Sequence, residues 1–184
     1  MPMKFLPTVA ALASLIAALV ASPARATEPA QDRPAQRFEI RFMQMTIEHH
    51  MMGAEMAEIC LDRATPPPPE ADTELRDLCA TIAEVQPQEA EQLQQWLTDW
   101  YGISFEPKTR SGPLRRLQRA EGEEFDVLVS EMFIDHHLAQ IRNSTTCLER
   151  ADHRELLEMC QQMIAQQSAE IIVFRNILEQ HGAD

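Results

Sequence analysis

Four of the six histidines in this chain of 184 residues stand as two adjacent pairs, His49-His50 and His136-His137. Imidazole is the side chain best suited to hold a transition metal or to move a proton near neutral pH. Around the first pair, Met45, Met52 and Met56 recur at helical spacing on the side of His49. Met43 and Met51 bring the local density to five methionines between residues 43 and 56. A methionine stripe alone is ordinarily a core filler. Thioethers flanking an imidazole are a donor set for a soft ion, above all Cu(I). Carboxylates at matching places follow, in Gln86-x-x-Glu89 and Gln167-x-x-Glu170. The candidate ligands are His49, His50, Met45, Met52, Met56 and Glu89, with His136, His137, Met132 and Glu170 in the second half. Copper is the expected ion, and another transition metal is compatible with the same set.

The pattern is stated twice. Phe38-Glu39, Met45 to His50 and Cys60 to Ala64 recur 87 residues later as Phe125-Asp126, Met132 to His137 and Cys147 to Ala151. The second copy keeps Met132 but has Ala139 and Asn143 where the first has Met52 and Met56. Two sites built on this plan would differ, the first being the softer and the one in which the chemistry is concentrated.

Four long segments carry the 3.6-residue apolar period that must position these residues. The first spans about 37–64, with a seam of Phe38, Phe42, Met45, His49, Met52, Met56 and Ile59, and ends at the prolines of Thr65 to Ala71. The second spans about 72–101, with the seam Leu75, Leu78, Ile82, Gln86, Glu89, Leu93, Trp96 and Trp100; Pro87 should kink it or free a carbonyl. Gly102 reads as its stop. A short helix is expected at Leu114 to Ala120. The third spans about 123–151, with the seam Phe125, Val129, Met132, His136, Ala139, Asn143 and Thr146. The fourth spans about 153–180, with the seam Leu156, Met159, Met163, Gln167, Glu170, Phe174 and Ile177. No segment alternates with period two for long enough to form a strand. The expected fold is all-α, a four-helix bundle of two helical hairpins (repeat one 37–101, linker 102–122, repeat two 123–181).

These seams place the first histidine of each pair toward the core, where it meets a glutamate of the following helix. His50 and His137 then lie about 100° round, as outer ligands or as partners that orient a carboxylate. His50 shares its face with Thr46, Gly53, Ala54 and Ala57, a small-residue strip that admits close helix approach. A polar layer of this kind must be satisfied, either by internal hydrogen bonds or by a metal ion. His153 and His181 read as solvent-facing.

Composition narrows the classes. Residues 1–26 read as a secretory signal: Lys4, an apolar run from Val9 to Val20, and Ala24-Arg25-Ala26 as the cleavage site. The run is short for a membrane span, and no second one follows, so about 158 residues remain for one domain (27–184). Of 16 basic residues, Lys4 and Arg25 leave with the signal, so 14 face 29 acidic ones. That balance argues against a nucleic-acid partner. The expected location is periplasmic or secreted, where four cysteines fit disulfides. The repeat selects Cys60–Cys79 and Cys147–Cys160 from the three possible pairings, each closing the open end of a hairpin; thiolate ligation is the alternative.

The string Phe42 to His50, continued by Gly53-Ala54-Glu55-Met56-Ala57, resembles the signature of a bacterial exported domain-of-unknown-function family, number 305. Gln86-x-x-Glu89 and Gln167-x-x-Glu170-Ile171 resemble its second motif, and Glu121 to Asp126 its entry to the second repeat. The resemblance covers nearly all of the mature chain. It implies a ferritin-like bundle, an exported location and, for the few members with an assigned role, copper binding and copper tolerance. Thr46 and Phe133 stand where the family usually has methionine.

The leading expectation is therefore a metal-binding sequestrant or carrier and not an enzyme. Di-iron and di-manganese oxidases of this architecture need Glu-x-x-His on two helices, and the chain has none. A metal-free interaction module, whose polar layer only fixes helix register, is the other alternative.

Overall fold

In the computed structural model, residues 34–63, 74–108 and 113–183 are described. The proposed signal segment, the loop from Thr65 to Ala71 and part of the linker lie outside them. Four α-helices make the molecule: α1 (Pro34–Arg63), α2 (Glu74–Tyr101), α3 (Gly122–Arg150) and α4 (Arg154–Gln180). No strand occurs among the described residues. None of the described helices is long and apolar enough to cross a membrane. The segment expected as a short helix is two 3₁₀ turns, Pro113–Arg115 and Leu117–Arg119. So few residues cannot recover the cost of nucleating an α-helix, and 3₁₀ turns are the usual substitute.

α1 packs on α2 and α3 on α4 as two hairpins, joined mainly through α1 and α3. Each hairpin is tied beside its connecting loop, and not at its open end as expected, by a disulfide, Cys60–Cys79 in one and Cys147–Cys160 in the other. Pro87 sits inside α2, which continues through it. Its ring nitrogen offers no donor to the carbonyl four residues back. Gly102, with φ 65°, ends α2 in the left-handed region that a Cβ disfavours.

The apolar core is in two pieces. One gathers Met56, Ile82, Leu117, Phe125, Phe133 and Phe174 around the Cys60–Cys79 bridge. The other gathers Phe42, Met43, Ile47, Leu93, Leu97 and Met163 around Cys147–Cys160. The first joins the C-terminal part of α1 to the N-terminal part of α3, and the second joins their other ends. α1 and α3 are therefore antiparallel, related by an approximate two-fold axis across the bundle. Between the two apolar pieces, at mid-height, lies a polar layer.

Candidate metal centre

The stripe that α1 turns fully inward is Glu39, Met43, Thr46, His50, Gly53, Ala57 and Cys60, every member buried. It runs one residue ahead of the seam expected from hydrophobicity. α3 repeats it 87 residues on, with Ser130, Phe133, His137, Gln140, Ser144 and Cys147 all 0% exposed. The correction has a physical reason. Phe38, Met45 and Met52 are larger and more apolar than Thr46, Gly53 and Ala57, so a hydrophobic count favours the wrong side of the helix. Closely approaching helices need small residues at the contact, and a polar layer needs polar ones.

Gly53 shows how close the approach is. A Cβ built there would stand 2.0 Å from Gln86 Oε1 and 2.7 Å from His136 Nε2. The α4 seam holds as expected, with all seven of its residues buried. On α2, Ile82, Gln86 and Leu93 are buried, but Leu97 and Tyr101 replace Trp96 and Trp100.

The second histidine of each pair, not the first, meets the glutamate. His50 Nε2 lies 2.9 Å from Glu89 Oε2, and His137 Nε2 lies 2.7 Å from Glu170 Oε2. Both rings are 0% exposed. These are close nitrogen–oxygen approaches rather than well-directed hydrogen bonds. The first histidines meet each other. His49 and His136 stack with ring centroids 3.5 Å apart and an interplanar angle of 19°. The stack joins the two hairpins at the two-fold axis.

Neither nitrogen of His49 has a hydrogen-bond partner, and Nε2 of His136 and Oε1 of Gln86 and Gln167 are also buried without one. Burial, then the neighbouring His50 and His137, hold the His49 pKa down to about 3. Burial, then His49 itself, pushes His136 well below the ordinary value. Both rings are thus neutral at physiological pH, the state in which imidazole offers a lone pair to a metal.

The methionines divide. Met45 and Met52 line an open cleft of about 280 Å³ together with His49, and Met51 joins them. Met45 and Met51 are 49% and 36% exposed. Met56 does not belong to this set. It is 2% exposed and packs in the apolar cluster around the Cys60–Cys79 bridge, with Met132 against the same cluster. One helical turn beyond Met52 leads into the core, so Met56 fills space there. Among the described residues, no three His, Cys, Asp or Glu side chains converge on a common point. The imidazoles and carboxylates are arranged in pairs.

A third centre was missed. Glu39, 0% exposed, accepts hydrogen bonds from the backbone N–H groups of Asp152 (2.6 Å) and His153 (2.9 Å). It also meets the His153 ring at 2.7 Å and the Tyr101 hydroxyl. Trp100 stacks flat on His153 at 4.0 Å. His153 is therefore only one-third exposed, and the reading of it as free in solvent is corrected. Burial raises the Glu39 pKa, but the bonds from Tyr101, His153 and Asp152 outweigh it and hold the carboxyl below its ordinary value. The 4-3 spacing of Glu39 with Met43, Thr46 and His50 was the available signal. His181, likewise read as solvent-facing, lies 3.4 Å from Glu123 and 3.9 Å from Asp126, the counterpart of Glu39.

The fold and site define a four-helix bundle made of two related hairpins that share a central histidine layer. The profile of one family, Domain of unknown function (DUF305), matches the chain twice, at residues 39–113 and 106–178. The chain belongs to that family. A member from Streptomyces coelicolor has the same fold, with a TM-score of 0.69 at 23% identity over 80% of this chain and 94% of that one. A fragment of a Deinococcus radiodurans member superposes with a TM-score of 0.67 at 20% identity, over 80% of this chain and 99% of that one. CopM is also similar, solved in Cu(I)-bound form, with a TM-score of 0.66 at 22% identity over 77% of this chain and 96% of CopM. It has also been solved with Ag and with Cu(II) bound. Among curated proteins, none matches the sequence.

Proposed function

We propose that this chain binds copper in the cell envelope, as a sequestrant or carrier, and is a binding protein rather than an enzyme. One observation carries the reading. His49 is held neutral, has two unpartnered nitrogens, and stands in the wall of an open cleft beside Met45, Met51 and Met52, with Glu48, Glu55 and Lys108 also in the lining. One imidazole with thioethers fits a soft monovalent ion better than Zn²⁺ or Mg²⁺. The His50–Glu89 and His137–Glu170 pairs hold the layer behind His49 in place. The fold shared with CopM, whose copper-bound and silver-bound forms are known, supports the same reading. Two disulfides fit an oxidising compartment outside the cytosol.

The test is anaerobic loading with Cu(I), removal of free ion and elemental analysis. At least one copper per chain is expected, and His49→Ala and Met52→Leu should each reduce it. No stoichiometric copper, with His49→Ala indistinguishable from wild type, would sink the proposal.

A metal-free role is the second reading. It is favoured by the internal pairing of both carboxylates of the layer and by the direct stacking of His49 on His136. A layer closed in this way can fix helix register without an ion. Thermal denaturation separates the two, since an ion that binds only the folded state must stabilise it, by about 3 kcal/mol at a hundred times Kd. A melting temperature unmoved by Cu(I), Cu(II), Zn²⁺ and Fe²⁺ would favour the register role.

A further inference from the structure

Beside the thioether cleft, which Glu48, Glu55 and Lys108 also line, lies a second one, of about 420 Å³, whose charged lining is basic alone. Arg37, Arg41 and Arg150 line it, and none of its described lining residues is Asp or Glu. The chain as a whole has 29 acidic residues against 16 basic ones and a net charge of −13. Arg41 and Arg150, with no carboxylate in the described lining, are therefore a local reversal of the molecule's field. α1 supplies Arg41 and α3 supplies Arg150, so the charge comes from both walls.

The floor is aromatic. Phe38 and Phe42 stack with centroids 5.9 Å apart, and the Arg150 guanidinium lies 4.5 Å over the Phe38 ring. Stacking uses the guanidinium face and leaves its N–H edge available to an oxyanion. Asn143 and Thr146 add neutral polar groups to the lining.

We infer that this cleft binds a small organic carboxylate with an apolar or aromatic body. The carboxylate lies between Arg41 and Arg150, and the body rests on the Phe38–Phe42 pair. A planar guanidinium pairs with a planar carboxylate through two parallel hydrogen bonds, whereas an inorganic anion would leave the aromatic floor unused. Met45 and Asn143 line both clefts, so the bound anion sits directly beside the thioethers.

The experiment is a calorimetric titration of the metal-free protein with benzoate, with inorganic phosphate as the second arm. Because no copper is present, failure of the copper reading leaves this test intact. Benzoate should bind, and more weakly as salt is raised. Arg41→Ala and Arg150→Ala should each weaken it about tenfold, the scale of one lost charge-assisted contact. Arg150→Lys, which keeps the charge but not the planar fork, should fall between. Arg175→Ala, exposed on α4, should change nothing. The inference is overturned if benzoate does not bind, if the Arg41 and Arg150 variants bind it as wild type does, or if phosphate binds at least as tightly.

Discussion

Glu170 and Glu89 each answer one buried histidine, yet removing them should not cost the same. The Glu170 side chain is 8% exposed and that of Glu89 is 16% exposed. Glu170→Ala strands His137 where water reaches less easily, and a buried polar group left alone costs about 1–3 kcal/mol. We expect Glu170→Ala near the upper end of that range and Glu89→Ala near the lower, measured by urea denaturation of the metal-free protein. Equal losses would show that burial does not set the cost. A single methyl at Gly53 makes a sharper test of packing. Its two nearest neighbours are side-chain tips of Gln86 and His136, so something in the layer must move. Gly53→Ala should destabilise by about 1–3 kcal/mol, the range for overpacking, despite the better helix propensity of alanine. It should also disturb the His49–His136 stack, visible as shifted imidazole resonances.

At the scale of the helix, Glu39 serves α4 as an N-terminal cap supplied from another element. His153, the residue before α4, makes no capping bond with its own side chain. The carboxylate from α1 takes the two backbone donors of that turn instead. Glu39→Ala therefore removes a cap, a partner for Tyr101 and a tie between the two halves at once. We predict a loss of about 3 kcal/mol, larger than a typical cap deletion, with a marked change in tryptophan fluorescence because Trp100 rests on His153. A loss under about 1 kcal/mol, with unchanged fluorescence, would refute the clasp.

The helices themselves were legible from the period, the proline run and Gly102, and the repeat identified both disulfides. The rotation of α1 and α3 was not. Along α1 two neighbouring stripes both step by four and three, and choosing between them by hydrophobicity selects Met45 over Thr46. What decides is the partner helix: Gly53 lies against Gln86 and His136, and no property of α1 alone encodes that contact. The α4 seam was read correctly because there the apolar residues and the inward stripe coincide. Glu39 escaped notice for the same reason as Thr46, since a lone carboxylate near a helix start is ordinarily solvated.

For the whole molecule, the buried histidines give stability a sign with respect to pH. The His49 pKa falls from 6.5 to about 3 on folding, and that of His136 falls as well. Below pH 6.5 the unfolded chain therefore binds protons that the folded chain refuses, and stability drops as pH falls. Glu39, depressed below its ordinary 4.5, adds a loss of the same sign under more acidic conditions. Asp126, raised mainly by burial, opposes it. We expect the metal-free protein to lose about 1 kcal/mol per pH unit for each titrating histidine between pH 6 and 4. Substituting His49 by a neutral isostere such as Gln should flatten that slope, and a slope unchanged by His49→Gln would exclude His49 as its source.

The reach of Glu39 across the chain also fixes an order of events in time. Its partner His153 lies 114 residues on, whereas the disulfides close separations of only 19 and 13. Contacts near in sequence form quickly, and distant ones wait for loop closure. Each half can thus complete its hairpin alone and then dock, with the clasp locking the docked pair last. Glu39→Ala should accordingly speed unfolding while leaving the folding rate nearly unchanged. In stopped-flow experiments, a matching slowing of folding would mean that the clasp forms early, before the halves commit to each other.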